Sequence, residues 1–372
     1  MQSDILTTIY SQHTVYLQRV AASQGRDVLP YLENIENDIQ KIFNKYRDRA
    51  KTAKNQEAIT KAIDESVKKN LKLYTTELNK SQREIGAYEA GLSVDSLESA
   101  IEDDINPVKP TNAAINAAAI ATPIQLGEKS YTTYKSMLSN YRNQWANEIS
   151  SQVALGFYGY KTINEVADKV YSQVRLQKTP VSKNVLNRAA KSAKAVAVNG
   201  TNHYANVARV EFGKQNADIV KGYILIAVLD SNTSQKCRGL DQRFIPFDSP
   251  DLAALTPPLH RNCRTALSYD VDDKYKLDPG STKRASKFEV DGKVDPKPLS
   301  SEGIYYDKMS DLDAADQDVI LGPTLGKAFR KLDDPSEFAQ ATIDRLGNPL
   351  TIEEMKSKNN KLGKILRKQS SG

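Results

Sequence analysis

Gly222-Tyr223-Ile224-Leu225-Ile226-Ala227-Val228-Leu229-Asp230-Ser231-Asn232 is the stretch on which the fold class turns. Its apolar run is continuous, β-branched and too short for a helix. A glycine bounds it on one side and an Asp-Ser-Asn turn on the other, which is how a strand buried on both faces reads. Downstream, Phe244-Ile245-Pro246-Phe247 and Thr265-Ala266-Leu267-Ser268-Tyr269 read as two further strands. Upstream the period changes. Residues 31–43 place apolar side chains at 32, 35, 39, 42 and 43, one face of a helix. From about Glu128 to Leu155, residues Tyr131, Tyr134, Met137, Leu138, Tyr141 and Trp145 keep helical spacing, with stops at Gly156 and Gly159. Thr162-Ile163-Asn164-Glu165 is a capping box that predicts a helix through Tyr171 and Val174, and another helical pattern covers 182–215. Ser93 reads as a helix start before 94–101.

These signals predict an α+β protein that is mostly helical. Residues 1–105 form a helical N-terminal region. Residues 106–127, with Pro107, Pro110 and an alanine-rich run, read as a linker or wrapping arm that buries little. A helix-rich core with the small β unit spans 128–270. Polar, proline-containing residues 271–303 read as an exposed connection, and 304–372 as a C-terminal helical arm with helices at 311–332 and 335–346.

The length of 372 residues allows two or three domains, and 39% hydrophobic with 26% charged residues is ordinary soluble usage on the polar side. The apolar run at 223–229 is the longest, far short of the ~20 residues a membrane helix needs. No membrane partner is expected. Met1-Gln2-Ser3-Asp4-Ile5 has neither a basic nor an apolar leader character, which predicts no Sec export. Two cysteines make no disulfide framework and fit a reducing compartment. The net charge is +6, and the last seventeen residues hold Lys356, Lys358, Lys361, Lys364, Arg367 and Lys368 with no acid. The rest of the chain is therefore neutral overall. A local basic tail points to a polyanion, here DNA, or else to a solvated terminus.

Both cysteines fall in one window, with His260 between Cys237 and Cys263. His260-Arg261-Asn262-Cys263 is a His-x-x-Cys half-site, whose two-residue spacer lets a turn aim both donors at one ion, and Cys237 approaches from after the strand. Structural zinc takes four ligands, so Asp230, Asp241, Asp248 or a water would complete the set. The same three residues also fit a disulfide, or plain packing with a hydrogen-bonded histidine. Around them Asp230, Ser231, Thr233 and Ser234 are residues that bond to nearby backbone and shape the turn leaving the strand. Pro257-Pro258 stiffens the approach to His260, and Arg264 has the reach to fork onto Asp230 or Asp241.

Val228-Leu229-Asp230-Ser231-Asn232-Thr233-Ser234-Gln235-Lys236-Cys237-Arg238-Gly239-Leu240-Asp241, followed by Pro257-Pro258-Leu259-His260-Arg261-Asn262-Cys263-Arg264-Thr265, resembles the signature of the Mu F-like minor head proteins of tailed bacteriophages. That pattern is a strand ending in Asp-Ser-x-Thr-Ser, then Cys-Arg, an Asp-Gly-like turn and Pro-Pro-x-His-x-x-Cys-Arg. Residues 315–323 are similar to the Gln-x-x-x-Leu-Gly helix found further along in many members, so the likeness spans about 128–350. Ser234 stands where some relatives carry a first cysteine, Gln242 replaces the turn glycine, and Ala195-Val196-Ala197-Val198-Asn199 lacks the family's Arg-Thr-Glu. With the Cys/His group, the small β unit reads as zinc-ribbon-like; the resemblance implies a minor capsid protein at the portal vertex, acting in head morphogenesis and in DNA packaging or ejection. It implies the portal protein, a major capsid or scaffold protein and viral DNA as partners. The implied location is the virion head, with the host cytoplasm during assembly.

Enzyme signatures are sparse. There is no His-Glu-x-x-His, no Walker loop and no Gly-x-Gly-x-x-Gly. His13 and His203 are the other histidines, and His203, on a helix beside Tyr204, reads as a satisfied structural residue. A Cys237–His260 dyad lacks the surroundings of a cysteine hydrolase. The sequence therefore predicts a non-enzyme. The competing reading is a virion-carried DNA-binding or nuclease effector that uses the Cys/His group and the basic tail.

Overall fold

The computed structural model describes residues 4–46, 52–127, 130–157, 164–165, 184–277, 282–290 and 293–370. The fold is mostly helical, mixed α+β, with small sheets, as the periodicities predict. The N-terminal half is built on α1 (Asp4–Arg26), α2 (Leu29–Lys45) and α3 (Ala53–Ala100). Helix α2 buries Leu32, Ile35, Ile39 and Phe43, the stripe its sequence marks. Ser93 is no cap. It lies inside α3, and its hydroxyl donates to the Glu89 carbonyl four residues back at 2.8 Å.

Residues 106–127 carry more structure than a linker. Helix α4 (Asn112–Ala121) is capped by Thr111, whose Oγ1 accepts the Ala114 N–H, and it buries Ile115 and Ala119. Alanine is the best helix former, and small side chains let Ile115 sit in one cluster with Ala90 and Ala208. Asn216 pins the preceding turn through both backbone groups of Val108. Strands β1 (Ile124–Gly127) and β2 (Ser130–Thr132) follow, then α5 (Tyr134–Gly156) and α6 (Val185–Gln215). Helix α5 thus begins six residues after Glu128, at a Thr133 cap. The capping box at 162–165 and its helix fall outside the described residues, apart from Asn164 and Glu165.

The chain divides into two compact units, and the boundaries fall inside α1, α3, β2 and α6. One unit, Arg19–Ile85 with Thr132–Thr201, is helical in its described residues. Tyr74, Tyr134 and Tyr141 are core residues of this unit, as their spacing suggests, and the Tyr74 ring lies 6.0 Å from both Tyr31 and Tyr141. Polar side chains tie its helices together. Gln82 accepts the Tyr134 hydroxyl and donates to the Ala197 carbonyl at 3.1 Å, while Gln24 donates to Ser81 and accepts from Thr201.

The other unit, Met1–Gln18 with Gly86–Tyr131 and Asn202–Gly372, holds the strands. Strand β3 (Val220–Ile226) is central, and β4 (Leu229–Asp230) and α7 (Gln235–Leu240) follow it. Next come β5 (Phe244–Pro246), α8 (Leu252–Leu255) and β6 (Ala266–Val271). The sheet order is β5-β3-β6, all antiparallel, with Tyr223 opposite Ile245 on one side and Tyr269 on the other. The run expected as one strand at 223–229 is broken. Asp241 Oδ1 accepts the Ala227 N–H at 2.7 Å and Arg284 Nη2 donates to the Ala227 carbonyl at 2.6 Å, so both ladder groups of Ala227 are already used. The chain then changes sheets, and β4 pairs in parallel with β7 (Lys283–Val290).

Much of the expected exposed connection at 271–303 is therefore β structure. Strands β7 and β8 (Lys293–Ser300) form an antiparallel pair, and β8 is the edge, where Pro296 and Pro298 are tolerated. The C-terminal arm is α9 (Tyr305–Ser310), α10 (Ala314–Leu321), α11 (Pro323–Leu332), α12 (Pro335–Thr342), α13 (Ile352–Lys358) and α14 (Asn360–Ser370). The helix expected at 311–332 is split by Gly322, at φ +79°, and Pro323. The helix expected at 335–346 stops at Thr342. Tyr306, Phe329 and Phe338 stack edge-on at the centre of this arm, and Leu362 and Leu366 of α14 join the same cluster. Among the described residues no helix is long and apolar enough to cross a membrane.

Candidate metal centre

Strand β4 delivers Asp230 to the turn that builds the site. Its Oδ1 accepts the Asn232 N–H at 3.1 Å and the Thr233 hydroxyl at 2.9 Å, an Asx-type turn that ends the strand. Ser234 then caps α7 by accepting the Cys237 N–H at 3.3 Å, which places Cys237 in the first turn of that helix. Of the two acids within Arg264's expected reach, Asp230 takes it: both guanidinium ends hold the carboxylate, Nη2 to Oδ1 at 2.8 Å. Asp241 belongs to Arg284 instead, in a pair with no side-chain exposure on either partner. Tyr305 closes the turn by donating to the Asp230 carbonyl at 2.7 Å.

The second half of the site leaves Pro257-Pro258, whose peptide bond is cis. The Cys263 N–H donates to the His260 carbonyl at 3.1 Å, and Asn262 turns the chain at φ +60°, a conformation asparagine tolerates. The His-x-x-Cys spacing thus does what it predicts, folding back so that both side chains face Cys237.

Cys237, His260 and Cys263 bring one ligand atom each within 4.8 Å of one another, a group that could hold a metal ion. The two sulfurs are 3.8 Å apart and both cysteines are free thiols; Cys237 Sγ lies 3.1 Å from His260 Nε2. Asp230, Asp241 and Asp248, candidates for a fourth donor, are not in the group. The first two are held by arginines and Asp248 is exposed.

The electrostatics prepare the donors. Hydrogen bonding to Cys263, with burial, pushes Cys237 well above the ordinary thiol range. Burial alone would raise Cys263 too, but its contacts with Cys237 and His260 outweigh that and hold it well below. Burial works to lower His260, and the Cys263 contacts win and raise it. When Nε2 loses its proton, Nδ1 keeps the other on the Arg261 carbonyl 2.9 Å away, leaving the Nε2 lone pair directed at the sulfurs.

No family model, curated protein or solved structure matches the chain.

What sequence reasoning missed is the support from α6. Asn202 Nδ2 donates to the Cys263 carbonyl at 3.0 Å, Asn206 Oδ1 accepts the Leu267 N–H at 2.7 Å, and Arg209 Nη1 donates to the Leu267 carbonyl at 3.1 Å. Three polar side chains at helical spacing thus grip the segment from Cys263 into β6. Arg209 is fully buried, paired with Glu89, and stacks 4.5 Å from the Tyr10 ring centre. Burial would raise the Glu89 carboxyl, but Arg209 and His13 together hold it below the usual range. His203 is buried and structural, donating from Nε2 to the Ala119 carbonyl at 2.8 Å.

The six tail cations are spread over two helices. Lys356 pairs with Glu353 at 2.8 Å, Lys358 donates to the Gln340 carbonyl at 2.6 Å, and Lys361 meets Glu337 at 3.2 Å. Lys364, Arg367 and Lys368 stand exposed on α14, a folded helix rather than a frayed end.

Proposed function

We propose that this chain is a Mu F-like minor head protein that acts beside the portal in head assembly and in DNA packaging or delivery, with zinc held by Cys237, His260 and Cys263. The observation that carries the reading is that the residues of the resemblance interlock. Asp230, Thr233, Ser234, Cys237, His260, Cys263 and Arg264 form one turn, one cap, one ion pair and one donor group, each supporting the next. That is how a module behaves whose task is to hold a shape for a partner.

Zinc fits the donor set. Zn–S and Zn–N bonds of about 2.3 and 2.05 Å in a tetrahedron require a sulfur–sulfur edge of about 3.8 Å and a sulfur–nitrogen edge of about 3.6 Å. The sulfurs meet this at 3.8 Å, and the 3.1 Å contact from Cys237 to His260 needs to open by about half an ångström to admit the ion. Viral DNA is the proposed polyanion for Lys364, Arg367 and Lys368, and the portal the proposed protein partner. The virion head is the proposed location, reached from the host cytoplasm.

The test is biochemical. Full-length protein purified under reducing conditions is expected to carry about one zinc per chain, and tagged protein is expected in purified heads with portal but not in heads lacking it. Protein that stays out of heads and degrades DNA with a divalent ion, losing this on His260→Ala, would overturn the assembly reading in favour of an effector.

A further inference from the structure

We infer that the Cys237–His260–Cys263 centre keeps an exchangeable fourth position, open to a small exogenous donor and flanked by the Ser234 hydroxyl. The inference rests on the metal reading above and goes beyond it, because a closed four-ligand clip and a three-ligand site differ in chemistry. Structural zinc is enclosed by four protein donors, whereas three donors leave a position for water or another small ligand and make the ion a Lewis acid.

Three observations carry it. Among the described residues no fourth histidine, cysteine or carboxylate joins the group. The acids nearest in sequence are committed elsewhere: Asp230 gives both oxygens to Arg264, and Asp241 gives both to Arg284. Finally, the two sulfurs and the remaining flank differ in burial. Cys237 and Cys263 are 3% and 0% exposed, while His260 and Ser234 are only half-buried, so the side away from the sulfurs reaches solvent.

Ser234 Oγ lies 2.9 Å from His260 Nε2. A neutral hydroxyl is a poor zinc ligand beside thiolate and imidazole, and this one already accepts the Cys237 N–H. Its proton is free to serve a neighbouring acceptor once the ion takes the Nε2 lone pair. Ser234 is thus placed to donate a hydrogen bond to whatever occupies the fourth position. The ligand class is a small donor such as water, azide, imidazole or a low-molecular-weight thiol.

Cobalt(II) reports on both questions, using the full chain under reducing conditions. The expected result is one cobalt per chain with tetrahedral absorption bands and sulfur-to-cobalt charge transfer, and a saturable shift of those bands on adding azide. Ser234→Ala should keep the cobalt stoichiometry and weaken azide binding about tenfold. Ser234→Cys should add a thiolate band and abolish the azide response, and it serves as the control should loss of the α7 cap destabilise the alanine variant. Bands that azide and imidazole leave unchanged in the native sequence would overturn the open position while leaving the metal site standing. Failure to bind cobalt at all would overturn the metal reading, and the inference with it.

Discussion

Gln242 sits at φ +61°, in the left-handed region where a side chain costs energy, and its Nε2 is buried without a hydrogen-bond partner. The turn after Asp241 wants a glycine. Gln242→Gly is expected to raise stability by about 1 kcal/mol, read as a higher urea midpoint at unchanged slope. His203 makes a different prediction. Burial lowers its pKa from 6.5 to about 4. As pH falls, the unfolded chain takes up this proton before the folded one does. Stability from the neutral ring is complete above about pH 6.5 and declines towards pH 4, by up to about 3 kcal/mol. In His203→Gln, melting temperature should depend less on pH across that interval; an unchanged slope would remove His203 from the acid response. At this scale the sequence was legible where spacing itself is the signal. His260-x-x-Cys263 could be read because a two-residue spacer lets one turn bring both side chains together, as it does beside Cys237. Asn202, Asn206 and Arg209 could not, because polar residues at helical intervals look like a solvated face until a strand edge is found against them.

Among the elements, the edge of β6 away from β3 is held by side chains of α6. Arg209 bonds the Leu267 carbonyl and the buried Glu89 at once. Arg209→Met would leave that carboxylate buried and facing only His13, an expected loss of about 3–5 kcal/mol in denaturant unfolding. A loss below about 1 kcal/mol would mean that the pair is replaceable by apolar packing. For α14 the useful variant is charge reversal, since truncation would also remove buried Leu362 and Leu366. Lys364→Glu, Arg367→Glu and Lys368→Glu together should weaken DNA binding and flatten its salt dependence, by about 0.9 in slope for each phosphate that is no longer neutralised. Equal binding and slope in the variant would place DNA elsewhere. Helices with a regular apolar stripe, such as α2, were plain from sequence, while β7 and β8 were hidden by Pro296 and Pro298, which read as loop until β8 proves to be an edge.

For the whole molecule, Asn106 to Pro110 looks like a break between regions, yet Leu6, Tyr10, Leu97 and Ile101 lie in one buried cluster with Cys237 and Cys263. Deleting 1–105 is therefore expected to give protein without a cooperative melt, whereas a deletion confined to α2 should spare that cluster; circular dichroism melts on both separate the two. The sequence shows that α1, α3 and α6 are amphipathic but not which residues of each helix serve which unit, because helical period is the same on both sides of a boundary. The Arg284–Asp241 pair adds a matter of timing. Asp241 closes the helix that carries Cys237, and its partner lies 43 residues further along the chain. During synthesis, then, Cys237 and Cys263 leave the ribosome while that carboxylate still lacks the cation it is buried with. The turn that closes the Cys237 helix is therefore completed only when β7 has been made and laid against β4.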